Sequence, residues 1–274
     1  MRLIVDADPL VYGCGFAAQG EPEHHALNLV KQQLIKYQKF FGSDDMSVHL
    51  SGSQGDLLRK QIHPDYKINR AKKPKPDHYQ AIRDYLERHW NAQISTELEA
   101  DDEVCLEANM YKDYSIWNQD EEAIEKDQMY PSCVIISIDK DLDQAPGWHF
   151  KPRRNPKEPI YYYVEPYTAM MWWGSQMIMG DSGDDIVGIP DVGKVKARDF
   201  MLELPVDVDF SDIREHTMNV YLDHGLTPED WLETEDLVTM VQDNQSYANL
   251  LRSRNKAANR ESGVAGSEVQ DPEV

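Results

Sequence analysis

Short apolar runs alternate with longer amphipathic stretches along the chain, the rhythm of an α/β fold. Arg2–Val5 is an apolar run that ends at Asp6 and reads as a buried strand. Asp8-Pro9 then opens a helix-compatible segment, with Asp8 suited to the cap and Pro9 to the first turn. From Glu23 to Phe41, apolar residues fall at 26, 27, 29, 30, 34, 35, 37, 40 and 41, a helical period. Met46–Leu50 reads as a second strand, ending in Ser51-Gly52-Ser53. A helix period resumes over Asp77–Trp90, with Tyr79, Ile82, Leu86 and Trp90 on one side. Val104–Tyr111 is helix-like, and Asp113–Gln128 is polar enough for an exposed helix or insertion. Cys133–Ile138 is a third strand, almost wholly β-branched, and Ile160–Val164 suits a short edge strand. Thr168–Met179 is a Met- and Trp-rich helix expected in the core. After Arg198 the pattern stays helical to about Leu251, with a helix start at Thr227-Pro228-Glu229. From Arg252 apolar residues thin out, which reads as a mobile tail.

Composition narrows the class. The chain has 274 residues, 41% of them hydrophobic, enough for one large domain or two moderate ones. A formal charge of −21 argues against a general basic coat for nucleic acid, but not against a local basic patch. Cys14, Cys105 and Cys133 are odd in number and lack any CxxC spacing, so neither a disulfide framework nor a zinc site is expected. No apolar run approaches membrane-spanning length, and Asp6 and Asp8 come too early for a secretory signal. A cytoplasmic protein with no membrane partner is the expectation.

The chemistry sits in four acidic stretches and one basic one. Ile178–Arg198 reads IMGDSGDDIVGIPDVGKVKAR. It places Asp181, Asp184 and Asp185 ahead of a Gly-bracketed turn and a basic run. Such a turn can offer backbone N–H groups and Lys194 to a phosphate, or be a polar loop with a helix cap. Glu97–Glu103 is ELEADDE, in which Glu99 and Asp102 share a helix face and Asp101 lies beside them. Helix starts attract acids through the macrodipole, but not five in seven residues. Asp139 and Asp141 follow the third strand as Asp6 follows the first. A calcium loop beginning there would need Gly and Glu where Gln144 and Phe150 stand, so it is rejected. The basic stretch is Arg59–Lys75, RKQIHPDYKINRAKKPK, with seven Lys or Arg against one acid. Its prolines make it a loop or an arch, and cations interleaved with Tyr66 suit single-stranded nucleic acid, although charge runs are usually solvated faces. If the strands are parallel neighbours, Asp6, Glu99, Asp101, Asp102, Asp139, Asp141, Asp181 and Asp184 converge on one edge. Two like charges 4 Å apart repel by about 4 kcal/mol at an effective dielectric near 20. Such a cluster calls for hard divalent ions on oxygen ligands, Mg²⁺ or Mn²⁺, and two of these form a clamp for phosphodiester hydrolysis.

Taken together, Asp6 after a strand, PDYKINR at 64–70, ELEADD at 97–102, SIDKD at 137–141, and GDSGDD with GIPDVGKVKA at 180–197 resemble the 5′-nuclease family. That family includes flap endonucleases, the 5′-nuclease domains of bacterial DNA polymerases and phage 5′→3′ exonucleases. The phage enzymes are nearest in size and motif style, and the resemblance spans about residues 1–200. It implies a mixed central sheet flanked by helices in a nuclease core over 1–175, with a helical arch at about 59–90. It also implies a helix-three-turn-helix element at about 178–200, within a duplex-binding helical region over 176–251 ahead of a tail at 252–274. The implied activity is cleavage of DNA with a 5′ flap, nick or free 5′ end, and of RNA on DNA, by a monomer, in a host's cytoplasm if phage-encoded.

By the same resemblance, Asp6, Glu99 and Asp101 would serve one ion and Asp139, Asp141, Asp181 and Asp184 the other, with Asp102 between them. Lys67 and Arg70 would contact the scissile phosphate, with Tyr66 stacking nearby. Arg59, Lys60, Lys72 and Lys73 would meet DNA along the arch. Gly188, Val192, Gly193, Lys194 and Lys196 would grip the duplex, with K⁺ at the turn. One departure stands out: the family places an Asp after its second strand, where this chain has Ser51-Gly52-Ser53. Three alternatives follow: the ion is held through water or Asp8, Asp56 swings in, or activity is reduced. Besides the two-metal nuclease, a DNA-junction-binding protein of the same fold with weak or absent catalysis fits the motifs. A phosphohydrolase of small esters would need neither the arch nor the GIPDVGK turn.

Overall fold

Strand β1 (Arg2–Asp6) lies inside the sheet because Leu3, Ile4 and Val5 present no polar face to water. The computed structural model describes residues 1–53, 55–117, 119–152 and 160–261. After β1 come α1 (Asp8–Ala17) and α2 (Glu23–Phe41), which cross over to β2 (Met46–Leu50). Then follow α3 (Leu58–Ile62), α4 (Ile68–Ala71), α5 (Tyr79–Trp90), β3 (Gln93–Ile94), α6 (Ala100–Met110) and α7 (Glu121–Met129). Next are β4 (Cys133–Ile136), a 3₁₀ turn at Asp141–Gln144, β5 (Gly147–Lys151) and β6 (Ile160–Val164). The chain continues through α8 (Pro166–Met179), the ribbon β7 (Gly180–Asp181) and β8 (Ile186–Val187), α9 (Lys194–Met201), α10 (Phe210–Asp223), α11 (Pro228–Val238) and α12 (Asn244–Glu261).

The six-stranded sheet has the order β3-β2-β1-β4-β5-β6. All neighbours are parallel except β6, which runs antiparallel on the edge beside β5. The mixed α/β class and the strands read as β1, β2, β4 and β6 are therefore as expected. Because β1, β2 and β4 are parallel, their carboxyl ends bring Asp6, Ser51 and Ser137 to a single edge. Leu3, Val5, Val30, Leu34 and Leu86 pack one face of the sheet against α1, α2 and α5. Ile4, Ile135, Val104 and Cys105 pack the other face against α6. A further apolar cluster holds the later helices, with Trp173 and Trp231 fully buried at its centre.

Several expectations need adjustment. The α1 cap is Ala7 with no side-chain bond, so Asp8 is free of capping duty. Strand β5 was not foreseen, since GWHFK shows little alternation. Lys151 ends β5 and pairs with Asp143 at 2.9 Å, while 153–159 lie outside the described residues. The basic stretch forms two short helices between turns, as its prolines suggested. Helix α12 continues to Glu261, past the expected boundary at 252, because Tyr247, Leu250 and Leu251 pack on the Leu58–Leu98–Val241 cluster; 262–274 lie outside the described residues. Cys14, Cys105 and Cys133 are buried and form no disulfide. Among the described residues, no helix is long and apolar enough to cross a membrane.

The end of α8 and the turn after β8 cross at two glycines. Gly180 sits at φ +65°, and a Cβ on Gly188 would collide with the Gly180 amide nitrogen and the Ile178 carbonyl oxygen. Backbone on both sides cannot give way as a side chain can. Gly188→Ala should therefore cost about 1–3 kcal/mol in urea denaturation; a wild-type midpoint would show that this crossing is looser than described.

Candidate active site

At the carboxyl edge of the sheet, one cleft of about 400 Å³ is lined by Asp6, Asp8, Glu99, Asp101 and Asp139, and also by Lys67, Arg70 and Lys73. Asp6 ends β1 and accepts a hydrogen bond from Ser137 Oγ at 2.7 Å. Burial pushes its carboxyl up to about 8, with repulsion from Asp8 and Asp139 adding to the rise. Glu99 and Asp101 stand at the start of α6. Burial alone would raise Glu99, but Lys67 and Arg59 outweigh it and hold the carboxyl at about 2. Its partners are Lys67 Nζ, Tyr66 OH at 2.6 Å and Arg59 Nη1 at 3.3 Å. Lys67 and Arg59 lower Asp101 too, but are outweighed there. Burial and the charges of Glu99 and Asp102 drive it well above the carboxylate range.

Asp102 departs from the expected role. It is fully buried and takes Arg59 bidentately at 2.5 and 2.8 Å, together with the backbone N–H groups of Glu99 (3.2 Å) and Val241 (2.9 Å). Its oxygens lie within 4.8 Å of those of Glu99 and Asp101, yet their acceptor sites are engaged. Asp102 therefore anchors the start of α6. Arg59 is corrected with it: at 2% exposure, and bonded also to the Thr239 carbonyl, it offers nothing to DNA. Tyr66 is likewise buried within the helical core, so its ring is not open to stacking. A run of cations says nothing of which members point inward.

The remaining acids form a neighbouring group tied by cations. Asp141 accepts from Gln176 Nε2 at 2.7 Å and from Lys140 Nζ at 2.9 Å. Lys140 also reaches Asp181 at 2.6 Å. Burial raises Asp141, with Asp139 adding, whereas Lys140 and the Gly183 N–H outweigh burial and lower Asp181. Asp184 is buried between Lys67 Nζ at 3.3 Å and Arg70. Lys67 adopts φ +55°, a left-handed conformation that costs an L-residue about 1 kcal/mol or more. It is held by its N–H to the Asp184 carbonyl at 2.9 Å. Next to it, Asp185 accepts from Asn69 N–H at 2.9 Å, so the loop between β7 and β8 clamps the basic segment over the cleft. Sequence reading missed Lys140 and Arg83 as site-building residues, and named Asp185 only as one of three acids in its stretch. Only Lys140 carried a signal, by lying between Asp139 and Asp141.

Of the expected DNA contacts, Lys72, Lys73, Gly193, Lys194 and Lys196 are exposed. Arg70 is 42% exposed at its side chain. Lys60 donates to the Tyr66 carbonyl at 2.7 Å, and Val192 is buried in the helical core. Gly188 makes the backbone crossing described above, and Gly193 caps α9, whose first turn carries Lys194 and Lys196.

The donor set fits a divalent ion. Glu99 and Asp101 bring carboxylate oxygens within 4.8 Å of each other, with Asp102 held beside them, and all-oxygen donors suit Mg²⁺ or Mn²⁺. A carboxyl raised from 3.8 to about 8, as for Asp6, keeps its proton in the folded chain while the unfolded chain has lost it. This stabilisation is complete below pH 4 and disappears as pH rises through 8. In EDTA, Asp6 should therefore make the melting temperature fall between pH 4 and 8, and Asp6→Asn should flatten that fall. An identical pH profile in the variant would refute the assignment.

No protein-family profile matches the chain, and no curated protein matches it in sequence. Solved structures do match in fold. The bacteriophage T5 5′-exonuclease with zinc ions bound aligns at TM-score 0.61 and 16% identity, covering 94% of this chain and 99% of that one. A bacteriophage T5 protein co-crystallised with metal ions gives 0.59 and 16%, covering 94% and 98%. The bacteriophage T5 flap endonuclease in complex with DNA and metal ions gives 0.54 and 16%, again covering 94% and 98%. The chain thus has the fold of the T5 5′-exonuclease over nearly its whole length.

Proposed function

We propose that the protein is a divalent-metal-dependent, structure-specific 5′-nuclease that hydrolyses phosphodiesters in DNA with a 5′ flap, nick or free 5′ end, including RNA primers on DNA. The cleft itself carries this reading, because it sets Asp6, Glu99, Asp101 and Asp139 against Lys67, Arg70 and Lys73. Acids without cations would suit any metal site, and cations without acids any anion site. Facing one another, they suit a phosphodiester attacked with metal assistance. The T5 flap endonuclease solved with DNA and metal ions has this fold, which agrees with the reading.

Asp6, Glu99 and Asp101 would hold one Mg²⁺ or Mn²⁺, and Asp139, Asp141, Asp181 and Asp184 a second. Bound there, the ions would supply an activated water and charge stabilisation at the leaving oxygen. Lys67 and Arg70 would bind the scissile phosphate and offset the charge that grows on it. Tyr66 would act indirectly, by directing its hydroxyl at Glu99. Asp102 and Arg59 would fix the start of α6. Lys72, Lys73, Lys194 and Lys196 would meet backbone phosphates, with K⁺ at the 188–193 turn.

The second reading, a junction-binding protein with little catalysis, is favoured by the lack of an acid past β2. A labelled 5′-flap duplex separates the two. With Mg²⁺ or Mn²⁺ the wild type should cut and EDTA should stop it, while Asp139→Ala with Asp141→Ala should reduce cutting to background yet keep binding. A flap that is bound but left intact by the wild type would decide for the second reading.

A further inference from the structure

We infer that Asp8 is a ligand of the first ion, standing in for the carboxylate that the end of β2 does not carry. The inference rests on the metal-dependent reading above and concerns which acids complete that site.

Strands β1 and β2 are parallel neighbours, with Asp6 opposite His49. Past β2 the cleft is lined by Ser51 and Gly52, neither of which is acidic. No acid can be accommodated at Gly52, since a Cβ there would collide with the Ser95 carbonyl oxygen. Asp56 does not line the cleft and lies exposed in a turn. The carboxylate nearest Asp6 along the chain is Asp8, and it does line the cleft.

The surroundings of Asp8 are those of a held ligand. It is not used to cap α1, whose N-cap is Ala7. Its oxygens reach across to the end of β2 instead. Oδ2 accepts from Ser51 N–H at 3.2 Å, and Oδ1 faces Arg83 Nη1 at 3.4 Å. Arg83 is buried and donates its other nitrogen, Nη2, to the Ser51 carbonyl at 2.6 Å. One guanidinium thus fixes both Asp8 and the strand end that lacks an acid. The Ser51 hydroxyl adds a third hydrogen bond, and a carboxylate has about four acceptor sites, so Asp8 keeps acceptor capacity for an ion. Ligands in metal sites are oriented by such partners. Arg83 also offsets one negative charge where Asp6, Asp8 and Glu99 repel one another. If Asp8 merely pinned α1 to α5 through Arg83, it would matter for stability and not for ion affinity.

Manganese titration followed by electron paramagnetic resonance separates these roles without using activity. The full chain is titrated as wild type, Asp6→Asn, Asp8→Asn and Asp8→Ser, each checked for folding by circular dichroism in EDTA. Both Asp8 variants should bind the tighter Mn²⁺ about tenfold more weakly or worse, while keeping the wild-type melting temperature in EDTA or exceeding it. Unchanged Mn²⁺ affinity in both Asp8 variants, with Asp6→Asn weakened, overturns the role of Asp8 alone. A wild type that binds no Mn²⁺ overturns the metal-dependent reading together with it.

Discussion

Repulsion among carboxylates gathered at one edge of a parallel sheet is the constraint on which the rest of this structure depends. Parallel strands with helical crossovers present their carboxyl ends side by side, and Asp6 and Asp139 follow two such ends. Helix α6 then adds Glu99 and Asp101, and the loop after α8 adds Asp181 and Asp184. The chain answers this charge with a few well-placed cations. Arg59 neutralises Asp102, Lys67 bridges Glu99 and Asp184, Lys140 bridges Asp141 and Asp181, and Arg83 holds Asp8. What those cations leave uncompensated is visible in Asp6 and Asp101, both pushed upward by burial and neighbouring charge. Removing one partner of the fully buried Arg59–Asp102 pair would strand the other, so that pair cannot be trimmed singly without cost.

The same compensation ties elements far apart in the chain together. Asp102 bonds Val241, and Arg59 bonds Thr239, so the start of α6 is locked to the segment that follows α11. Gln144 and Gln176 link the 3₁₀ turn after β4 to α8. Asp184 and Asp185 fasten the ribbon loop to Lys67 and Asn69. The cleft is thus closed on one side by the basic segment and is also lined by Gly183 of the ribbon loop. Although the net charge is −21, Lys67, Arg70 and Lys73 line the cleft together with its acids.

Much of the fold was legible because its signals are local. The β-branched run ending at Asp6, the nineteen-residue helical period of α2 and the edge strand Ile160–Val164 all lie where their periodicity puts them. The acids of the cleft were legible too, since Asp6 and Asp139 mark strand ends and Glu99 a helix start. What failed were inferences about which way a side chain faces. Arg59 and Tyr66 sit in a stretch dense with surface cations, but burial is set by α6, α11 and α12, which come far later in the chain. Asp102 shares a face with Glu99 on the helix, yet Arg59 is the partner that decides its role. Arg83 gave no local sign, because it acts on a residue brought close only by the tertiary fold.

The central claim is that this edge of the sheet is built to hold divalent ions against a cationic wall. Anomalous diffraction from a crystal soaked in Mn²⁺ tests it directly. The account predicts a manganese peak bounded by Asp6, Asp8, Glu99 and Asp101, and a second near Asp139, Asp141 and Asp181 with Lys140 turned away to admit it. A map with no peak at this edge, or with peaks only at exposed acids elsewhere on the surface, would contradict it.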